Sequence, residues 1–187
     1  MHTPSADEAH VPPVLLPAQF GPYGRALLLL SKFLATLGGL AFVALVGISL
    51  ISVVGRKLLA MPVPGDMEVL MMVAATASAT FFAYCHLEGG DVKVDFFTAR
   101  ARPGTVHLLD AFGSLLVGLF GVLIAWRSWV GAMSLFDAGE TSAILGWPVW
   151  LAQVGMVPGF VLLALAGFYM CGLHLQASWA RRAEVRS

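Results

Sequence analysis

The sequence has little charge and few cysteines. Asp, Glu, Lys and Arg make up only 12% of its 187 residues, whereas 58% are hydrophobic. A soluble domain is typically about a quarter charged, so a water-soluble globular protein is not expected. Eleven basic residues balance eleven acidic ones, which argues against a nucleic-acid-binding protein. The two cysteines are too few for a disulfide-stabilised fold.

Long stretches without charged residues are present instead, and they predict membrane-spanning helices. The uncharged runs cover residues 33–55, 69–87, 111–126 and 141–180, and a spanning helix needs about 20 mostly apolar residues. None of the runs alternates as a strand does, so helices rather than a barrel are expected in lipid. The last run has 40 residues and no polar turn, so we expect one helix that begins near Pro148.

We therefore predict an all-α integral membrane protein with four transmembrane helices and both termini in the cytoplasm. The predicted spans are residues 25–55, 68–87, 105–136 and 148–180. Residues 56–67 and 137–147 form outside loops, residues 88–104 form a cytoplasmic interfacial loop, and residues 1–24 and 181–187 are cytoplasmic tails. Residues 23–32 are considered as a short interfacial helix.

The orientation follows from an unequal distribution of Lys and Arg. The side with both termini has eight of them: Arg25, Lys32, Lys93, Arg100, Arg102, Arg181, Arg182 and Arg186. The other side has Arg56, Lys57 and Arg127, and we place Arg127 near the outer end of the third span. Because positive residues are enriched in cytoplasmic loops, the side with eight is predicted to be cytoplasmic.

With that placement, no charged residue is expected at the middle of any span. Pumps and proton relays need such groups because they bind or move charge. The sequence also lacks a phosphate-binding loop, a dinucleotide-binding fingerprint and a nucleophile–base motif. We therefore expect neither an enzyme nor a bound cofactor, and a transporter or channel that acts alone is disfavoured.

Small residues recur on the second and fourth predicted spans. Ala75, Ala79 and Ala83 share one helical face, and Gly155 and Gly159 have the same spacing of four residues. In lipid, such faces allow helix backbones to approach closely. Two interpretations stay open: contact with a larger membrane partner, or packing among the four helices of this chain. We take the five residues as candidates for a partner interface.

Histidines near the cytoplasmic ends offer a different hypothesis. His86, His107 and His174 lie at similar predicted depths, as do Cys85 and Cys171. Such a set suggests a small haem- or metal-binding redox protein. The residues have no ligand-like spacing, however, and interfacial histidines commonly form hydrogen bonds with the backbone or lipid headgroups. The metal-site hypothesis is therefore the alternative, and no metal ligand is assigned.

Three stretches, taken in order, resemble the small membrane subunit of tripartite ATP-independent periplasmic (TRAP) transporters. They are PVPGDMEVL (62–70), FFAYCHLEGGDVKVDFF (81–97) and TSAILGWPVWLAQVGMVPGFVLLAL (141–165). The motif positions that match are Glu68, Asp95, Leu145, Pro148, Trp150 and the pair Pro158-Gly159. The resemblance covers residues 25 to 175, with one departure: Asp91 occupies the place of the family's loop histidine.

This resemblance implies a scaffold subunit in the inner membrane of a bacterium, surrounded by lipid. Its partners would be a large membrane subunit that moves the substrate with sodium, and a periplasmic binding protein that delivers a carboxylate or sialic-acid-like substrate. The outside loops would then be periplasmic. The charged residues that we expect to contact the binding protein are Arg56, Lys57, Asp137 and Glu140.

Overall fold

The computed structural model describes residues 20–59, 64–89 and 103–184. The helices in these residues are α1 (Pro22–Leu59), α2 (Asp66–Leu87), α3 (Pro103–Ala138) and α4 (Trp150–Glu184). Each contains a stretch long and apolar enough to cross a membrane, so the predicted count of four spans is confirmed. Asp91, Asp95 and most of the predicted 88–104 loop lie outside the described residues.

The helix ends follow ordinary local chemistry. α1 and α3 begin at Pro22 and Pro103, where the missing N–H of proline costs nothing in the first turn. Two acidic residues, Asp66 and Glu68, lie in the first turn of α2, near the positive end of its dipole. α1 runs without a break from Pro22, so residues 23–32 form its beginning rather than a separate interfacial helix.

The four helices form an open row rather than a closed bundle. α1 packs on α2, α2 packs on α4, and α4 makes its most extensive contact with α3. α1 reaches α4 only over a small area, and α1 and α3 have at most marginal contact in the described part of the chain. We call this arrangement the helix layer. Its edges are α1 and α3, and α4 is its most buried helix.

Small side chains form the contact between α2 and α4. A Cβ atom added at Gly159 would lie 2.5 Å from the carbonyl oxygen of Ala79, and one at Gly155 would lie 2.8 Å from the methyl of Thr76. Ala79 and Ala83 are 1% and 0% exposed. We call these five residues the α2–α4 seam. Because α4 occupies this face of α2, the contact fits the second interpretation that the sequence left open, packing among the helices of this chain. Of the five candidate partner residues, Ala75 and Gly155 stay partly exposed.

The helix contacts also correct the depth assigned to Arg127. On α3, Arg127 lies between Gly131, which contacts Gln153, and Gly121, which packs against Ala164 and Phe160. The corresponding part of α4 packs at Gly155 and Gly159 against Thr76 and Ala79, which are in the middle of α2. Arg127 is therefore level with the middle of the shortest span, not with an end of the layer. In the sequence the uncharged run 111–126 ends just before Arg127, which suggests a position near the outer end of the span, whereas α3 continues to Ala138.

Candidate functional site

Asp66 and Glu68 lie at the end of the helix layer where α2 begins, which we call the carboxylate end. The Glu68 carboxylate accepts hydrogen bonds from the Ser142 hydroxyl and from the backbone N–H groups of Ile144 and Leu145, at 2.9 and 3.1 Å. Hydrogen bonds to an ionised carboxylate are stronger than those between neutral groups. Glu68 thereby fixes the segment between α3 and α4 to the first turn of α2.

Asp66 makes the corresponding connection to α1. Its carboxylate accepts hydrogen bonds from the Ser52 hydroxyl and from the backbone N–H of Met67, the latter at 2.9 Å. The Ser52 side chain is fully buried, so this contact lies between the helices. Arg56 adds an ion pair with Asp66 at 3.7 Å, but its side chain is 57% exposed. A pair so open to water contributes little to stability.

The segment 140–149 is a folded turn rather than a loose loop. The backbone N–H of Ser142 donates to the carbonyl of Trp147 at 2.7 Å, and that of Val149 donates to the carbonyl of Glu140 at 3.2 Å. Leu145 packs over Gly65, where a Cβ atom would lie 2.6 Å from the Leu145 side chain. Gly65 also has a φ of 76°, which favours glycine. These contacts fix the backbone conformation of the connection between α3 and α4.

We call Asp66, Glu68 and the segment 140–149 the carboxylate clasp. Four of the family-motif positions fall in or beside it: Glu68, Leu145, Pro148 and Trp150. Trp150 packs edge-to-face on Phe136 of α3, with ring centroids 5.6 Å apart. The two carboxylates are occupied by hydrogen bonds from the chain itself, so the clasp is built to hold helices in position.

The surface of the carboxylate end is mixed in character. The predicted docking residues Arg56, Lys57, Asp137 and Glu140 are all exposed, and α1 and α3 place them at this same end. Large apolar side chains lie among them: Ile144 is 64% exposed and Trp147 is 49% exposed. The carboxylate end therefore exposes charges of both signs beside two large apolar side chains.

The histidine hypothesis gains no support from the described residues. No group of three His, Cys, Asp or Glu side chains that could hold a metal ion occurs among them. His174 is buried, with its Nδ1 atom 4.0 Å from Asp110 Oδ2, and His86 is buried at the end of α2. Cys85 is exposed and Cys171 is partly exposed. The side chain of His107 lies outside the described residues.

Sequence reasoning missed two contacts. The pairing of His174 with Asp110 depends on the alignment of α4 against α3, for which the sequence holds no local signal. The hydrogen bond from the Ser142 hydroxyl to the Glu68 carboxylate was not predicted either, although both residues belong to stretches that resemble the family. The order of the two motifs along the chain could have suggested that contact, since each directly precedes a predicted span.

The comparisons with known proteins give one family. The family model described as "Tripartite ATP-independent periplasmic transporters, DctQ component" matches residues 45–176. The match runs from the middle of α1 into α4 and includes the whole carboxylate clasp. Searches of curated proteins and of solved structures give no match.

Proposed function

Because the chain belongs to the family of DctQ components, the small membrane subunits of tripartite ATP-independent periplasmic transporters, we propose that it is the scaffold subunit of a sodium-coupled importer. Members of this family act in a complex with a large membrane subunit and a periplasmic binding protein, and the family is a transporter component rather than an enzyme family. The substrate that we propose is a small organic acid, a carboxylate or a sialic-acid-like compound. The location that we propose is the inner membrane of a bacterium.

The observation that best supports a scaffold role is the open helix layer. α1 and α3 form its edges, and both expose large apolar side chains along their whole length, including Leu40 at 68% and Phe120 at 57%. Lipid or another membrane protein must cover these faces. The layer therefore presents large apolar surfaces to its neighbours at both edges, as a scaffold subunit would.

The carboxylate end supports the second part of the proposal, contact with the binding protein. We propose that this end faces the periplasm, with both termini in the cytoplasm, as the distribution of Lys and Arg predicts. Arg56, Lys57, Asp137 and Glu140 would then meet the binding protein beside Ile144 and Trp147. The clasp holds this surface in one conformation, which reduces the entropy lost when a partner docks.

Co-purification and reconstitution together test the function. The tagged chain is purified from its native membrane in mild detergent, and the co-purified large subunit is quantified by mass spectrometry. The two subunits are then placed in liposomes, and uptake of candidate organic acids is measured with the binding protein and an inward sodium gradient. We expect equal amounts of the two subunits and uptake that requires both.

The matched control omits this chain from the liposomes. The large subunit alone should give no sodium-driven uptake, while substrate binding by the soluble protein is unchanged. Equal uptake with and without this chain would contradict the scaffold role. Uptake that persists after the sodium gradient is removed would contradict only the sodium coupling.

A further inference from the structure

Arg127 is exposed on the side of α3 that faces away from the rest of the helix layer. The buried residues of α3 follow one strip that faces α4: Ala111, Ser114, Gly118, Gly121, Ala125 and Ala132. At about 100° per residue, Arg127 lies about 150° around the helix from the centre of this strip. Leu116, Phe120 and Leu123 share its side and are about half exposed or more. We call these four residues the far face of α3.

The depth of Arg127 makes this exposure unusual. Arg127 is level with Thr76 and Ala79, at the middle of α2. α2 has 22 residues and is about 33 Å long at 1.5 Å per residue, close to the hydrocarbon thickness of about 30 Å. The nearest charged residue on α3, Asp137, is about 15 Å away along the helix axis. A layer that spans the bilayer on α2 therefore holds the Arg127 guanidinium in the hydrocarbon core.

The described residues offer Arg127 no charge partner. The ion pair found there is Arg56 with Asp66, and the Asp110 carboxylate lies 4.0 Å from His174 Nδ1. The Arg127 guanidinium is also poorly placed to reach the nearer surface of the bilayer. Side chains on a helix tilt toward its first residue, which is Pro103 for α3, so Arg127 leans away from the nearer rim at Asp137. A charged group in this position is costly in lipid and is expected to face protein.

We propose that Arg127 pairs with an acidic side chain of the large membrane subunit, and that the far face of α3 is the interface between the two subunits. This inference rests on the proposed function, because it needs a large membrane partner. The proposal places the interface on α3 and not on α1, the other exposed edge of the helix layer. At the same depth α1 exposes apolar groups such as Leu40 and Val43, at 68% and 69%, which suit lipid. The far face of α3 adds Phe120 and Arg127, two residue types enriched at protein interfaces.

The first test compares the isolated chain with the complex for Arg127→Leu. In the isolated chain in detergent, the variant should unfold at the same temperature as the wild type or higher, because an exposed charge is replaced by an apolar group. In the complex, co-purified large subunit should fall at least about tenfold, because the partner's buried carboxylate loses its counter-charge. Arg127→Lys keeps the charge and should retain part of the complex.

Lys32→Leu is the matched control, since it removes an exposed positive charge from α1 near the end of the layer. It should leave the amount of large subunit unchanged. Failure of the wild-type chain to co-purify with a large subunit would overturn the proposed function. Wild-type co-purification with equal recovery for Arg127→Leu would overturn only the pairing.

The second test maps the two edges with a photo-crosslinking amino acid, p-benzoylphenylalanine. It is placed at Phe120 on the far face of α3 and at Leu40 on α1, whose side chains are 57% and 68% exposed. We expect a crosslink from position 120 to the large subunit and only lipid adducts from position 40. Lipid adducts alone at position 120, or a subunit crosslink at position 40 instead, would overturn the assignment of the interface.

Discussion

The α2–α4 seam and Arg127 on the far face of α3 lie at the same depth in the helix layer, but they are solvated differently. The seam brings two backbones together over alanine and glycine, and the hydroxyl of Thr76 donates to a carbonyl within reach. The far face of α3 exposes large apolar groups and a guanidinium. Close packing in the seam is a contact that the chain already makes within itself, whereas an exposed charge at the middle of the layer requires a partner from outside the chain.

The largest effect is expected from filling the seam. Gly159→Leu forces a side chain into the carbonyl group of Ala79, so we expect the free energy of unfolding to fall by about 3 kcal/mol. Gly47→Leu is the control, because no atom lies within 4 Å of a Cβ atom at Gly47. Unfolding of both variants in detergent is followed by circular dichroism.

Equal stability of Gly159→Leu and Gly47→Leu would show that α2 and α4 can separate at little cost. The seam would then again be available to a partner, as the sequence alone allowed. A large loss for Gly159→Leu, with the remaining folded chain still bound to the large subunit, would confirm that the seam belongs to this chain alone.

A smaller effect is expected from the carboxylate clasp, a polar contact that the chain has also made for itself. Glu68→Gln replaces an acceptor of three hydrogen bonds by a neutral amide that offers one acceptor oxygen. We expect a loss of about 2 kcal/mol, as for hydrogen bonds to charged groups, and faster hydrogen exchange at the amides of Ile144 and Leu145. Glu140→Gln, at an exposed position, is the control, and equal exchange in the two variants would contradict the clasp.

Thr76→Val tests how much the hydroxyl of Thr76 contributes to the stability of the seam. The variant keeps the shape of the side chain but removes the hydroxyl, whose hydrogen is shared between the Met72 carbonyl of α2 at 3.1 Å and the Ala152 carbonyl of α4 at 3.2 Å. Interhelical hydrogen bonds in membranes contribute about 0.6 kcal/mol on average, so we expect a stability loss of that size. Thr36→Val is the matched control, because the Thr36 hydroxyl donates to Lys32 within its own helix. A loss at Thr36 as large as that at Thr76 would mean that the interhelical bond adds nothing.

The number and position of the helices could be predicted from the sequence because charged residues bound most of the apolar runs. Glu68 is singled out by the family resemblance of the stretch 62–70, not by the pattern of charges. The order of the helices in the layer could not be predicted. Hydrophobic runs determine which residues form a spanning helix. Which helices pack together depends on the fit of small residues such as Gly121 and Gly167, and a glycine in the sequence does not indicate which helix it will contact.

Two features of the sequence could not be interpreted fully without the contacts between helices. A face of small residues at Ala79 and Gly159 shows only that another backbone comes close, and it does not show which chain that backbone belongs to. Arg127 interrupts an apolar run, so counting uncharged residues moves it toward a helix end. Only the contacts of α3 with α4 place it at the middle of the layer.

The smallest effect on stability is expected at Arg56, the same residue type as Arg127 in a different environment. Arg56 lies at the carboxylate end, more than half exposed and 3.7 Å from Asp66, so Arg56→Ala should change the free energy of unfolding by less than about 0.5 kcal/mol.

Exposed charges act instead on the rate at which partners associate. If this end receives the binding protein, Arg56→Ala should alter its association rate at low salt, and the difference should shrink as salt is added. Arg127→Leu should leave that rate unchanged in the complex that still forms. If Arg56→Ala leaves the association rate of the binding protein unaltered at every salt concentration, Arg56 is not part of the docking surface. The far face of α3 would then remain as the proposed site at which an arginine of this chain contacts a partner.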